Sequence, residues 1–197
     1  MLSIETQQKI SDAIAALNLP SDFAHTVEQY YVPIADWIAK RAESAAPHIV
    51  GLQGSQGSGK STCALFLKIV LESQAQISTA VVSLDDYYLT RAERERLAAI
   101  VHPLFATRGV PGTHDVDLIQ STFDAIRAGN SNKVPVFDKG LDDRVPASDW
   151  QEVSERTQVL IFEGWCVGVT HQSSSALAVP VNDLEALEDQ DMVWRGY

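Results

Sequence analysis

One segment constrains this chain more than any other. Gly54-Ser55-Gln56-Gly57-Ser58-Gly59-Lys60-Ser61 matches the pattern G-x-x-x-x-G-K-[ST]. It lies between an apolar run, His48–Gln53, that reads as a strand and a stretch of helical periodicity from about Lys60 to Ser73. A strand, a glycine loop and a helix in that order form a cradle for phosphate. The glycines let the backbone turn and approach an anion, and successive N–H groups at the helix start bind it. Lys60 supplies a mobile positive charge for the outer phosphates, and the Ser61 hydroxyl is placed to reach Mg²⁺.

The pattern around this loop is that of a parallel α/β sheet. Thr79–Leu84 and Gln158–Phe162 read as two further strands, rich in Val, Ile and Leu and without polar alternation. Asp115 to Ala128 reads as a helix capped by Asp115, with Val116, Ile119, Phe123 and Ile126 on one apolar face. Ahead of the sheet, residues 4–17 place Ile10, Ile14 and Leu17 at helical spacing. A second helical stretch runs from Ser21, as N-cap, to about Ala45, with Pro33 as its kink. The run RAERERLAA (91–99) is charged enough to read as a solvated helix.

Composition narrows the partners. The 15 Lys and Arg stand against 26 Asp and Glu, and a net charge of −11 opposes nucleic acid, so none is expected as a partner. The longest apolar runs are interrupted by Lys68 and Glu163 and fall short of the ~20 residues of a membrane span. The N-terminus has no basic-then-apolar leader. Two cysteines, Cys63 and Cys166, form neither a disulfide framework nor a zinc motif, which fits a reducing cytoplasm and a packing role. His25, His48, His102 and His171 have no metal-ligand spacing and are read as structural.

Two acids fall where open α/β sheets hold their chemistry, at the carboxyl ends of strands. Asp85 follows the second strand, where a carboxylate can take a proton from a hydroxyl or hold Mg²⁺, and Asp86 beside it reads more simply as a turn-capping acid. Glu163 ends the third, in VLIFEG, where an unpaired charge after so apolar a run is hard to explain by packing. Two later segments, 107–115 and 135–144, carry Arg108, Lys139 and Arg144, cations suited to a carboxylate or phosphate. The acidic field is expected to be reversed where Lys60, Arg108, Lys139 and Arg144 converge on a small anion.

Taken in order, GSQGSGKST (54–62), SLDDYYLT (83–90), RGVPGTHDVDL (108–118), PVFDKGLDDR (135–144) and LIFEGWCVG (160–168) resemble the P-loop small-molecule kinases that include uridine kinase, phosphoribulokinase and pantothenate kinase. The similarity is greatest to the D-glycerate kinase-like branch. That resemblance implies a P-loop NTPase fold, a three-layer α/β/α arrangement with a mainly parallel sheet. Residues 1–46 would be a helical extension packed on a kinase domain at 47–197.

The resemblance also implies ATP held by Gly54, Ser55, Gln56, Gly57, Ser58, Gly59, Lys60, Ser61 and Thr62. Mg²⁺ would sit on Ser61, Asp85 and Glu163, and Lys60, Asp85 and Glu163 would be catalytic, with Asp85 the general base. Asp86, Tyr88, Arg108, His114, Asp138, Lys139 and Arg144 would line the acceptor site. Such cations suit a small carboxylate, D-glycerate first, with pantothenate, a nucleoside or a sugar phosphate as alternatives. A nucleotide-binding protein without turnover is the remaining possibility within the fold. A guanine-reading switch is disfavoured, because the only Asn-Lys pair, Asn132-Lys133, is followed by Val134-Pro135 and not by x-Asp. These kinases continue beyond the segment matching the last residues here, so the resemblance implies either a chain truncated at its C-terminus or a divergent short form. Such an end exposes a sheet edge or apolar face that favours a homo-oligomer.

Overall fold

The computed structural model describes residues 2–42 and 46–197. Its centre is a three-stranded parallel sheet. The strands β1 (His48–Gln53) and β2 (Thr79–Ser83) flank a central strand, β7 (Val159–Gly164), whose six residues are all buried. Register is set in step: Leu52 and Ser83 both lie opposite Glu163, so the three strands end together at one edge. β7 covers VLIFEG, running past Phe162 to Gly164, so that Glu163 lies within the buried strand end.

Alternation along β7 sorts its side chains to two faces. Val159 and Ile161 join a core made by three helices: α1 (Ile4–Ala16), α3 (Val32–Ala39) and α4 (Lys60–Gln74). Leu160 and Phe162 join a second core on the opposite face. It contains Tyr87 and, from α6 (Val116–Arg127), Ile126, with Leu118, Ile119 and Phe123 packed against it. Helices on both faces of a parallel sheet make the three-layer α/β/α architecture expected from the sequence. The N-terminal helices share the first core with α4, and Ile10, Ile14, Val27 and Ile38 are buried there.

Local differences have local causes. The second helical stretch starts at Phe23, with Asp22 and not Ser21 at its N-cap, as α2 (Phe23–Thr26). It continues as a π turn over Val27–Tyr31, in which the Val32 N–H donates to the Val27 carbonyl, and restarts as α3. Pro33 then falls in the first turn of α3, where its missing N–H costs little. The end of the expected helix, at 43–45, lies outside the described residues. In α6 the Asp115 side chain accepts from the Leu118 N–H as a cap should, but Val116 is 67% exposed and Leu118 takes its place on the packed face. The charged run forms α5 (Arg91–Ile100), closed by a reciprocal Thr90–Glu93 capping box. It is not wholly solvated, because Arg94 is 1% exposed.

Short strands outside the sheet complete the fold. β3 (Asn132–Val134) pairs antiparallel with β6 (Gln151–Val153), and β4 (Phe137–Asp138) pairs with β5 (Asp143–Arg144). The C-terminal residues form α7 (Ser174–Leu177), α8 (Asp183–Glu188) and α9 (Val193–Gly196). Buried Asp189 ties them together, accepting from the Trp194 and Arg195 N–H groups and pairing with the Arg195 guanidinium at 3.1 Å. No described helix is long and apolar enough to cross a membrane.

Candidate active site

The glycine loop turns where the pattern requires it. Gly57 and Gly59 have φ of 76° and 84°, a region that side chains with a Cβ rarely adopt, and Gly59 is the N-cap of α4. A Cβ at Gly54 would stand 2.6 Å from the Ser58 hydroxyl oxygen. The Lys60 ammonium folds back over the loop and donates to the Ser55 carbonyl at 3.0 Å, while Thr62 sits half-buried in the first turn of α4.

The shared register brings the acids to this loop. Glu163, two residues beyond Ile161, points to the α4 face, where its Oε1 accepts from the Ser61 hydroxyl at 2.8 Å. β2 ends in a tight 3-10 turn, Leu84–Tyr87, that carries Asp85 and Asp86. Both oxygens of Asp85 are bonded. Its Oδ2 accepts from the Lys139 ammonium at 2.7 Å and its Oδ1 from the Tyr88 hydroxyl at 3.1 Å. Burial alone would raise the Asp85 pKa, but these two donors, with the Lys139 charge, outweigh it and hold the carboxyl below its ordinary range. Asp86 moves the other way. Burial raises it, the charges of Asp85 and Glu163 add to that, and its bond from the Phe137 N–H at 3.1 Å only partly offsets them.

These groups line one cleft of about 940 Å³. Its walls include Ser55, Gln56, Gly57, Lys60 and Ser61 from the loop, Asp85, Asp86 and Tyr88 from the β2 turn, Arg108 and Lys139 from two later loops, and Glu163. Sequence reasoning overlooked Ser83, Thr107, Gly109 and Trp165, which complete the lining. The Trp165 indole donates to the Gly109 carbonyl at 2.9 Å and so latches the 107–109 loop to the end of β7. Its position directly after Glu163-Gly164 was the available signal.

Three of the expected acceptor residues stand behind the cleft wall. Asp138 folds onto its own turn, accepting from the Gly140 and Leu141 N–H groups. His114 is buried and stacks on the Tyr88 ring, with centroids 4.6 Å apart; burial depresses its pKa from 6.5 to about 4, and its Nε2 has no hydrogen-bond partner among the described residues. Arg144 pairs with Asp115 at 3.0 Å and with Glu93 at 2.8 Å. The expected convergence of four cations is therefore corrected: Lys60, Arg108 and Lys139 reach the cleft, and Arg144 is held by two acids. Arg108 in turn pairs with Asp142. Buried Arg94 anchors this region, donating to the carbonyls of Leu89, Ala106 and Asp142 and pairing with the Asp142 carboxylate at 3.0 Å.

The donor set suits a small hard cation bound partly by its substrate. Among the described residues no group of three or more His, Cys, Asp or Glu side chains is arranged for a metal. The adjacent Ser61 hydroxyl and Glu163 carboxylate offer two oxygens, and Mg²⁺ ordinarily takes its remaining ligands from phosphates and water. Asp85, expected with them, accepts instead from the Tyr88 hydroxyl and the Lys139 ammonium, one on each oxygen.

Residues 49–187 match the phosphoribulokinase/uridine kinase family. The chain belongs to that family. Over 142 residues it is 40% identical to the uncharacterized kinase mug58 of Schizosaccharomyces pombe, covering 68% of this chain and 51% of that protein. It is 32% identical over 160 residues to a chloroplastic D-glycerate 3-kinase of Arabidopsis thaliana, covering 71% of this chain and 35% of that one. The solved structure of D-glycerate 3-kinase from Cryptococcus neoformans superimposes with a TM-score of 0.64 at 30% identity, over 77% of this chain and 56% of that one. The chain thus spans about half or less of the length of these curated relatives.

Proposed function

We propose that this chain carries the nucleotide and acceptor sites of an ATP-dependent kinase that phosphorylates a hydroxyl of a small hydroxy acid, D-glycerate first. The observation that carries the reading is one cleft holding three things together: the Lys60 loop, the Asp85 carboxylate, and the Arg108 and Lys139 cations facing it. Cations beside the base suit an acceptor with its own carboxylate better than a neutral nucleoside. The likeness to proteins named D-glycerate 3-kinase supports the same choice.

In this reading the backbone of 54–62 binds the triphosphate and Lys60 leaves the Ser55 carbonyl to contact its outer phosphates. Asp85 takes the acceptor's hydroxyl proton as that oxygen bonds to the terminal phosphorus and the bond to the departing diphosphate breaks. Ser61 and Glu163 would hold Mg²⁺, which supplies neutralisation of the phosphate charge. Arg108 and Lys139 orient the acceptor's carboxylate.

The test is transfer from Mg-ATP by the purified chain to D-glycerate, pantothenate, a nucleoside and a sugar phosphate. Lys60→Ala should lose nucleotide binding. Asp85→Asn should keep it and lose transfer by about 10²–10⁴. Full transfer by Asp85→Asn removes the base from the mechanism, and tight ATP binding with no transfer to any acceptor removes the kinase reading.

A further inference from the structure

The cleft contains a competition that the reaction has to resolve. Each oxygen of Asp85 already accepts one bond, and the ammonium on Oδ2 at 2.7 Å draws off the charge with which that oxygen would take the acceptor's proton. The two donors differ in how they are held. Tyr88 is buried, its ring fixed between His114 and Phe137, with centroids 4.6 and 5.3 Å away. Lys139 is 61% exposed and sits in a turn whose backbone is set by Asp138, so its ammonium can move on a flexible stem while the turn stays in place. The other cation of this wall, Arg108, is tied to Asp142 and lies over the Phe137 ring at 5.4 Å. Lys139 is thus the cation able to change partner.

We propose that Lys139 is a lock on Asp85 that an anionic acceptor opens: the acceptor's carboxylate takes the ammonium, and the Oδ2 of Asp85 becomes free for the acceptor's hydroxyl. Lys139 is then a specificity-determining residue. A neutral molecule with the same hydroxyl leaves the Asp85–Lys139 pair intact and meets a carboxylate whose basicity the ammonium still holds down. A hydroxy acid breaks the pair by supplying a second carboxylate for it. Since a solvent-exposed ion pair is worth little, its exchange for a similar pair is nearly balanced and an ordinary ligand can drive it. The inference rests on the small-acid reading above but concerns an exchange of ion pairs, so it can be tested without turnover.

The experiment compares the affinities of D-glycerate and of glycerol, its neutral analogue, by calorimetry. It uses wild type, Asp85→Asn, Lys139→Met and the double variant, each with the non-hydrolysable nucleotide analogue AMP-PNP and Mg²⁺. If Asp85 competes for the ammonium, Asp85→Asn frees Lys139 and should bind glycerate about fivefold more tightly than wild type, with glycerol unchanged. The gain should vanish in the Lys139→Met background. A gain that persists in the double variant is simple relief of repulsion between two carboxylates and overturns the lock, as does unchanged or weaker glycerate binding in Asp85→Asn. Absence of glycerate binding by the folded wild-type chain also overturns it. Failure of phosphate transfer with the binding cycle intact removes the kinase reading and leaves the lock standing.

Discussion

His114 should make the stability of this fold depend on pH between 6.5 and about 4. The imidazole is buried against Tyr88 and its pKa falls from 6.5 to about 4. Burial is the larger cause, and the nearby Asp85 charge only partly opposes it. In the unfolded chain the ring takes a proton below 6.5, whereas in the folded chain it stays neutral until about 4. The unfolded state therefore binds more protons across that interval, and stability falls as pH falls through it, levelling off below. At about 1.36 kcal/mol per pH unit, the full interval is worth about 3 kcal/mol. The raised carboxyl of Asp86 works in the opposite direction at the acid end of the window, so comparison with a variant is needed. His114→Phe keeps a ring against Tyr88 and removes the titration. Urea unfolding at about pH 7 and about pH 4.5 should show the wild type losing about 2 kcal/mol more than the variant between the two conditions. Equal losses in the two proteins would refute the assignment of a buried neutral imidazole.

Two further outcomes follow from the packing. In Gly164→Ala the new Cβ would meet the Leu84 Cβ at 2.6 Å, an atom held close to the backbone of the turn that carries Asp85. The variant should lose about 1–3 kcal/mol, read as a lower midpoint of thermal unfolding, and an unchanged midpoint would count against the close approach of β7 to that turn. Arg94→Leu strands three carbonyls and removes one partner of Asp142, so it should cost about 3–5 kcal/mol. Arg96→Leu, two positions along the same helix and exposed, should be nearly silent in the same melt.

The parts of the site legible in the sequence are those with local physical causes. Glycines at 57 and 59 are needed wherever the chain takes a left-handed turn, and Lys60-Ser61 follows because the loop must deliver a charge and a hydroxyl at a helix start. Parallel strands read as apolar runs without polar alternation, so His48–Gln53 and Thr79–Ser83 were visible although they are only partly buried, with Asp85 just past the second and Glu163 closing the apolar run of the fully buried β7. Arg94 was not legible. A run such as RAERERLAA signals solvation, and burying one of its guanidinium groups depends on carbonyls at 89, 106 and 142 that only the tertiary fold brings together. The pairing of Arg144 with Glu93 and Asp115 was hidden for the same reason. The place of Trp165 after Glu163-Gly164 marks it as near the site, but its bond to the Gly109 carbonyl, 56 residues away, depends on the tertiary fold.

The amino-acid order alone determined which chemical groups this protein has at its strand ends and helix start, because backbone turning and strand burial are set over a few residues. The tertiary structure decided what those groups are bonded to. It engaged both oxygens of Asp85, joined Ser61 to Glu163 and held Arg144 behind the cleft wall. Charges and hydroxyls find partners through space, and the distances between them follow from the register of three parallel strands and the loops folded over their ends.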